Sequence, residues 1–329
     1  MNIPPPKTES FFHRGDLQSS PGLSFLMAVE GIGPAKATKI AESFRDISNL
    51  RRASKNQIMT LIGKSTDSLI DHCASEIPPV KLPDGVRAIC KFDDEWPDSL
   101  QSLKSPPAII YVIGTVPKIP CIAVVGTREP TDFGLRVVDK VVQKTALRGW
   151  GVVSGLALGI DTEAHEMALK YGATTWAILG GGVDVPTPEK NRDLANRIVA
   201  SGGGLISEQI PGTEPSPHSL VARNRLQVAF SDIVLAAQAG IPSGTLHTVR
   251  FALEQKKRLV VPRPTGQYLG EAKSKGNIEL TNPLGCDLAI LKPISKNLKK
   301  FLSDRRPVAD LVLYSNDLDA IWGSTNERV

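Results

Sequence analysis

Between residues 109 and 291, short apolar runs alternate with stretches whose apolar residues recur at helical spacing. This alternation restricts the fold more than any other feature of the chain. The runs at 119–125, 151–154, 174–179, 205–207, 233–237 and 258–261 have the length and β-branched content of buried strands. The intervening stretches 134–148, 162–171, 188–201, 223–230 and 246–255 read as helices. In the first of these, Leu135, Val138, Val142 and Leu147 fall on one side, and Gly149 follows where a left-handed cap costs little. Pro188 opens the third helix, where its missing N–H leaves no bond unmade. Strands apolar along their whole length need cover on both faces, so the expectation is an α/β fold with a doubly wound, mostly parallel sheet.

Ligands of such sheets collect at the carboxyl ends of the strands. Here those ends run into glycine, hydroxyl or basic residues: Gly126, Thr127 and Arg128; Ser154 and Gly155, then Asp161; Gly180, Gly181 and Gly182, with Asn191 and Arg192 one helix start away; and Ser243, Gly244 and Thr245. Glycine lets backbone N–H groups approach a ligand, and a helix N-terminus favours an anion. Several such loops on one edge suit a phosphate-binding rim, although tight βα turns alone also use glycine. Arg223, Asn224 and Arg225 open a helix and suit phosphate or base-edge contacts. From residue 218 to 263 there are seven Lys or Arg against two acids, Asp232 and Glu254. A dinucleotide site would need Gly-x-Gly-x-x-Gly after the first strand and an acid after the second. The chain has Gly126-Thr-Arg-Glu-Pro-Thr and Ser154-Gly155 instead, and it has no P-loop motif. No nicotinamide or other cofactor is expected.

The rest of the composition narrows the class. No apolar run approaches the roughly 18 residues of a membrane span. The first ten residues are Pro-rich and polar, unlike a signal peptide. Cys73, Cys90, Cys121 and Cys286 are scattered without metal-ligand spacing, which fits a reducing cytoplasm. A formal charge of +5 suits a polyanionic partner. His165 lies four residues after Asp161 and reads as a structural hydrogen-bonding group, so neither a catalytic site nor a metal site is expected. The texture divides the chain into a helical module at 1–77, a main domain at 78–290 and a short basic tail at 291–329. In the module, Gly31-Ile-Gly33-Pro34-Ala-Lys36 sits between two apolar-periodic helices, at 23–30 and 34–44. It resembles a helix-hairpin-helix element of the SAM-like kind. Gly31, Gly33 and Lys36 could present amides and charge to a DNA phosphate, or the hairpin could serve only as packing.

Taken in order, the motifs resemble the DNA-processing protein A family, also written DprA or Smf. The resemblance runs through Trp96-Pro97, Pro106-Pro107, Val124-Val125-Gly126-Thr127-Arg128 and the 154–161 block ending in Asp161. It continues through Leu179 to Asp184, Arg223-Asn224-Arg225, Ser243-Gly244-Thr245-Leu246 and Gly276-Asn277, spanning about residues 85 to 290. It implies an extended Rossmann-like fold that binds single-stranded DNA in natural transformation and recombination. It also implies protection of that DNA, loading of the RecA recombinase and action as a homodimer. The residues at the strand ends above would then contact phosphate.

The chain departs from the family in three places. Leu220 stands where an aromatic is common, which removes a base-stacking ring. Gln238 stands where Glu is usual. The forty-odd residues after Gly285, with Lys296, Lys299, Lys300, Arg305 and Arg306, are short for a winged helix. Two alternatives use the same rim: a nucleotide-binding sensor, and a phosphoribohydrolase-like enzyme. For the enzyme, the acid expected close after the Gly-rich turn is missing, the next being Glu254.

Overall fold

In the computed structural model, which describes residues 15–63, 66–303, 307–314 and 318–323, the chain divides into two units. One holds Met1–Pro83 and Arg87–Ile110, and the other Asp84–Val86 and Tyr111–Val329. The smaller unit carries the helices α1 (Ser20–Met27), α2 (Pro34–Phe44), α3 (Ile47–Arg52), α4 (Lys55–Ile62) and α5 (Thr66–His72), then strand β1 (Arg87–Cys90) and α6 (Asp98–Gln101). Its helices are capped by sequence. Ser19 Oγ accepts from the Gly22 N–H at 3.2 Å, Pro34 starts α2, and Ser54 with Gln57 forms a reciprocal capping box on α4. Leu23, Leu26, Ile40, Leu50 and Leu69 are buried in its core.

Strand β2 (Ile109–Gly114) leads into the larger unit, which then alternates strand and helix. Its elements are β3 (Cys121–Gly126), α7 (Asp132–Leu147), β4 (Gly151–Ser154), α8 (Ile160–Tyr171), β5 (Thr175–Ile178), α9 (Arg192–Ala200) and β6 (Gly204–Ser207). After these come α10 (Pro217–Ala222), α11 (Asn224–Ala229), β7 (Ile233–Gln238), α12 (Thr245–Glu254), β8 (Arg258–Pro262), α13 (Lys275–Leu280), α14 (Lys296–Ser303) and β9 (Leu311–Leu313). The strand order is β2-β6-β5-β4-β3-β7-β8-β9. All pairings are parallel except β2 with β6. This is the doubly wound, Rossmann-like α/β sheet expected from the sequence.

The period-2 geometry of a strand explains its two cores. Ala123 and Val125 of β3 and Val234 and Ala236 of β7 face one cluster, with Leu246, Val249 and Leu253 of α12. Ile122, Val124, Ile233 and Leu235 face the other, with Val138, Val141 and Val142 of α7 and Ala164 of α8. Each large aliphatic side chain fully buried this way contributes about 1.5–3 kcal/mol.

Several described residues after 290 pack into the larger unit. Leu298 and Leu302 of α14 enter the first core, and β9 pairs in parallel with β8. Ile321 is fully buried in the second core, and Arg148 donates to Asp319 at 2.6 Å while lying 4.4 Å over the Trp322 ring. The sequence obscured this because β9 is three residues long and stands in a polar stretch. Arg305 and Arg306 lie outside the described residues.

Candidate nucleic-acid interface

From β3 the chain winds to β4, β5 and β6 on one side, then returns to β7 on the other. The loops leaving β3 and β7 therefore diverge, and a crevice opens between them. An open cleft of about 360 Å³ occupies this point. It gathers Gly126, Thr127 and Arg128 after β3, Asn224 of α11, and Ser243, Gly244 and Thr245 at the start of α12. Gly126 is required by close approach, because a Cβ there would lie 2.5 Å from Ile160 Cγ1. The Thr127 N–H donates to the Gln238 carbonyl at 2.8 Å, fixing the turn to the end of β7. Arg128 is exposed, and it makes no hydrogen bond or ion pair among the described residues. The N-cap of α12, Gly244, offers no side chain; the Thr245 N–H donates to Ser243 Oγ at 3.2 Å, the Leu246 and His247 N–H groups donate to the Ser243 and Gly244 carbonyls, and nothing crowds Gly244.

The floor of the cleft is ionic. Arg223 is 6% exposed; its Nη1 donates to the carbonyl of Gly155 at 2.6 Å and to that of Ile178, and its Nη2 lies 3.8 Å from Asp161 Oδ2. Asp161 accepts from the Gly155 N–H at 3.1 Å. Burial pushes the Asp161 carboxyl above its ordinary pKa, and Arg223 pulls it back. Burial also lowers the Arg223 pKa, Asp161 opposes this, and the nearby charge of Arg128 adds to the lowering.

Seven sequence-predicted residues lie outside the cleft lining, and an eighth, Arg223, forms its floor. Arg223 lines the cleft from below, and its bonds go to the protein's own carbonyls. Ser154 is fully buried, with Oγ donating to the Val124 carbonyl at 2.7 Å. The Gly155 amide is taken by Asp161, and a Cβ at Gly155 would collide with the Arg223 guanidinium. Asn191 is 4% exposed and donates to the Leu156 carbonyl and Thr162 Oγ1, both at 2.8 Å, which holds the loop after β4. Arg192 pairs with Glu189 at 3.2 Å. Arg225 makes a two-point contact with Glu208, at 2.8 and 2.6 Å. Gly180 packs under Leu220, and the Gly182 N–H donates to the Thr213 carbonyl at 2.8 Å, so the 210–220 segment covers that loop.

Gln238 is fully buried at the end of β7. Its side-chain Oε1 accepts from the Thr131 N–H at 2.9 Å, and its Nε2 donates to Thr131 Oγ1 at 2.8 Å and Ser274 Oγ at 2.9 Å. His165 is also fully buried, with Nδ1 2.7 Å from Thr175 Oγ1. Leu220 lines the cleft, so the ring it replaces would have stood there. Gln227 and Thr248 line it too, although their positions in the sequence were not singled out. The available signal was spacing: Gln227 is three residues after Asn224 and Thr248 three after Thr245, each pair on one helix face.

In the smaller unit, Gly31 has a φ of 79°, and Gly33 is the N-cap of α2 with no side-chain cap. Lys36 Nζ donates to the Gly31 carbonyl at 2.9 Å, so this lysine helps close the hairpin turn. Among the described residues, no cluster of His, Cys, Asp and Glu could hold a metal ion, and no helix is long and apolar enough to cross a membrane.

A family model described as DNA recombination-mediator protein A matches residues 87–288. The chain is 32% identical to protein Smf of Synechocystis sp. over 247 residues, 69% of this chain and 60% of the relative. It is 33% identical to the DNA processing protein DprA of Bacillus subtilis over 178 residues, 53% of this chain and 60% of that one. The chain therefore spans about three fifths of the length of these two relatives. The crystal structure of DprA from Streptococcus pneumoniae superposes with a TM-score of 0.67 at 25% identity, covering 80% of this chain and 92% of that one. DprA from Helicobacter pylori, in a structure described as revealing a unique single-stranded DNA binding mode, gives a TM-score of 0.52 at 27% identity, covering 66% and 94%.

Proposed function

The chain belongs to the DNA recombination-mediator protein A family, and from that membership we propose that it binds single-stranded DNA in the cleft between the ends of β3 and β7. The observation that carries the reading is Arg128. Its exposed guanidinium makes no hydrogen bond or ion pair among the described residues, lines the same cleft as the start of α12, and is near enough to the buried Arg223 to act on its charge. A phosphate seated there would gain a charge-assisted bond from Arg128, backbone amides of Ser243 and Gly244 and an amide donor from Asn224. Most of these donors engage the phosphate, which every sequence carries, so binding is expected to depend little on sequence. Asp161 is the one carboxylate among the lining residues, and it is tied to Arg223 and Gly155. That arrangement favours binding over hydrolysis of a nucleotide. Recombination mediation through RecA, action as a homodimer and a cytoplasmic location complete the proposal, on the strength of the family.

The test is a salt titration of binding to single- and double-stranded oligonucleotides of several lengths. The expected result is tighter binding to longer single strands, with log affinity falling by about 0.7 per neutralised phosphate for each unit of log salt. Saturation by a mononucleotide with a shallow salt slope would instead indicate a signal sensor. Release of free base from nucleoside monophosphates would indicate an enzyme.

A further inference from the structure

A second concave site lies on the same carboxyl edge, where β8 and β9 end. It encloses about 190 Å³ between the first turns of α7 and the segment after β8. Three aromatic side chains line it: Phe133, Tyr268 and Tyr314. Phe133 and Tyr268 have ring centroids 5.6 Å apart. The Tyr268 hydroxyl is buried without a hydrogen-bond partner, while Tyr314 is 57% exposed. Arg136 and Lys140 also line it, four residues apart on one face of α7. Both are exposed, and neither makes an ion pair or hydrogen bond among the described residues. With only four tyrosines and nine phenylalanines in the whole chain, a cluster of three rings beside two unpaired cations is a specific feature.

Resting on the reading of the first cleft, we infer that this site takes one unstacked base of the same DNA strand, with its flanking phosphates on Arg136 and Lys140. Size supports a base rather than a whole nucleotide, because sites that engulf drug-sized ligands run to about 300–1,000 Å³. The chemistry matches, since an aromatic face stacks any base and lysine or arginine tracks the backbone. The unpartnered Tyr268 hydroxyl offers a polar end to a planar ring. The two sites share one loop. Arg128 lines the first and Phe133 the second, and five residues of chain span at most about 18 Å. The loop between them is held to the Tyr268 segment by Thr131 Oγ1 donating to Glu271 at 2.7 Å and by the Lys273–Glu129 ion pair. A strand leaving Arg128 can therefore follow a fixed edge to the aromatic site.

The test uses the full chain, a ladder of single-stranded oligonucleotides, and the variants Arg136→Ala with Lys140→Ala, and Tyr314→Ala. Tyr314 and both cations are exposed, so folding is preserved. The expected result is unchanged affinity for the shortest oligonucleotides that bind, and about tenfold weaker binding of longer ones. The salt slope of the longer ones should also fall by about 1.4 in the double variant. Oligonucleotides carrying 5-bromodeoxyuridine should photocrosslink to Tyr314. Equal binding of wild type and variants at every length, without that crosslink, would overturn the aromatic site while leaving the first cleft standing. Failure of the wild type to bind any oligonucleotide would overturn the first reading, and this one with it.

Discussion

Arg223 Nη2 lies 3.8 Å from Asp161 Oδ2, and both groups are more than nine-tenths buried beneath the cleft. The pair joins three loops. Arg223 bonds the carbonyls of Gly155 after β4 and Ile178 at the end of β5, while Asp161 opens α8 and holds the Gly155 amide. Two charges taken out of water repay their desolvation only when their remaining bonds are made, and removing one leaves the other uncompensated. Arg223→Ala should therefore destabilise the larger unit by about 3–5 kcal/mol. Urea unfolding followed by tryptophan fluorescence would measure the loss. A variant as stable as the wild type would mean that the pair holds nothing together.

Arg128→Ala should behave in the opposite way. The side chain is exposed and makes no internal bond, so the unfolding midpoint should stay within the ±0.5 kcal/mol typical of surface substitutions. Affinity for single-stranded DNA should fall for every sequence tried, and the salt slope should drop by about 0.7. Arg128→Lys should recover much of the slope, because it restores the charge without the forked geometry. Fluorescence anisotropy at several salt concentrations reads both quantities. An unchanged slope in Arg128→Ala would place the phosphate contacts elsewhere.

The contrast between these two arginines marks how far the sequence was legible. Strand and helix alternation placed β4 at Gly151–Ser154 and α2 at Pro34–Phe44 as the structure has them, because buried strands and capped helices write their pattern locally. The turn at Arg128 was also legible, since it follows a strand end directly. Arg223 also lines the cleft, as its floor, whereas Arg225 turns to Glu208, and helical geometry contained a warning of that split. Residues two apart on a helix point about 200° apart, so the two arginines could not share one groove. One went under the cleft and the other to Glu208. Ser154, Gly155 and Asn191 bond neighbouring loops for a related reason: a polar group at a strand end can face ligand or hold a neighbouring loop, and only tertiary contacts decide. Gly180 and Gly182 were covered by the 210–220 segment, distant in sequence.

Arg225 and Glu208 should show as a coupled pair in stability and stay silent in DNA binding. They meet with two hydrogen bonds at 18% and 14% side-chain exposure. Each single alanine variant should lose about 1–3 kcal/mol, and the double variant less than the sum, since truncating one partner strands the other. A double-mutant cycle by chemical denaturation measures the coupling. Purely additive losses would show that the pair contributes little beyond its separate packing.

His165 should make stability depend on pH in the mildly acidic range. Its ring is fully buried, with Nδ1 against Thr175 Oγ1 at 2.7 Å. The Thr175 hydroxyl already donates to the Val152 carbonyl at 2.9 Å, so it can only accept from His165, and the Nδ1–H tautomer is fixed. Nε2 has no partner, which leaves a second proton nowhere to be received. Burial, aided by the charge of Arg223, lowers the pKa from 6.5 to about 3. Between those two values the unfolded chain takes up a proton that the native protein refuses. The native state is thus fully favoured above about pH 6.5 and loses ground as pH falls through the window, by about 1.4 kcal/mol per unit. From pH 7 to pH 5 the loss should reach about 2 kcal/mol. His165→Gln retains an N–H donor but cannot titrate. Its own stability is lower, yet its unfolding midpoint should vary less with pH over the same range. Urea denaturation of both proteins at half-unit steps separates the two effects, and parallel curves would mean that His165 is reached by solvent and protonated in the folded protein.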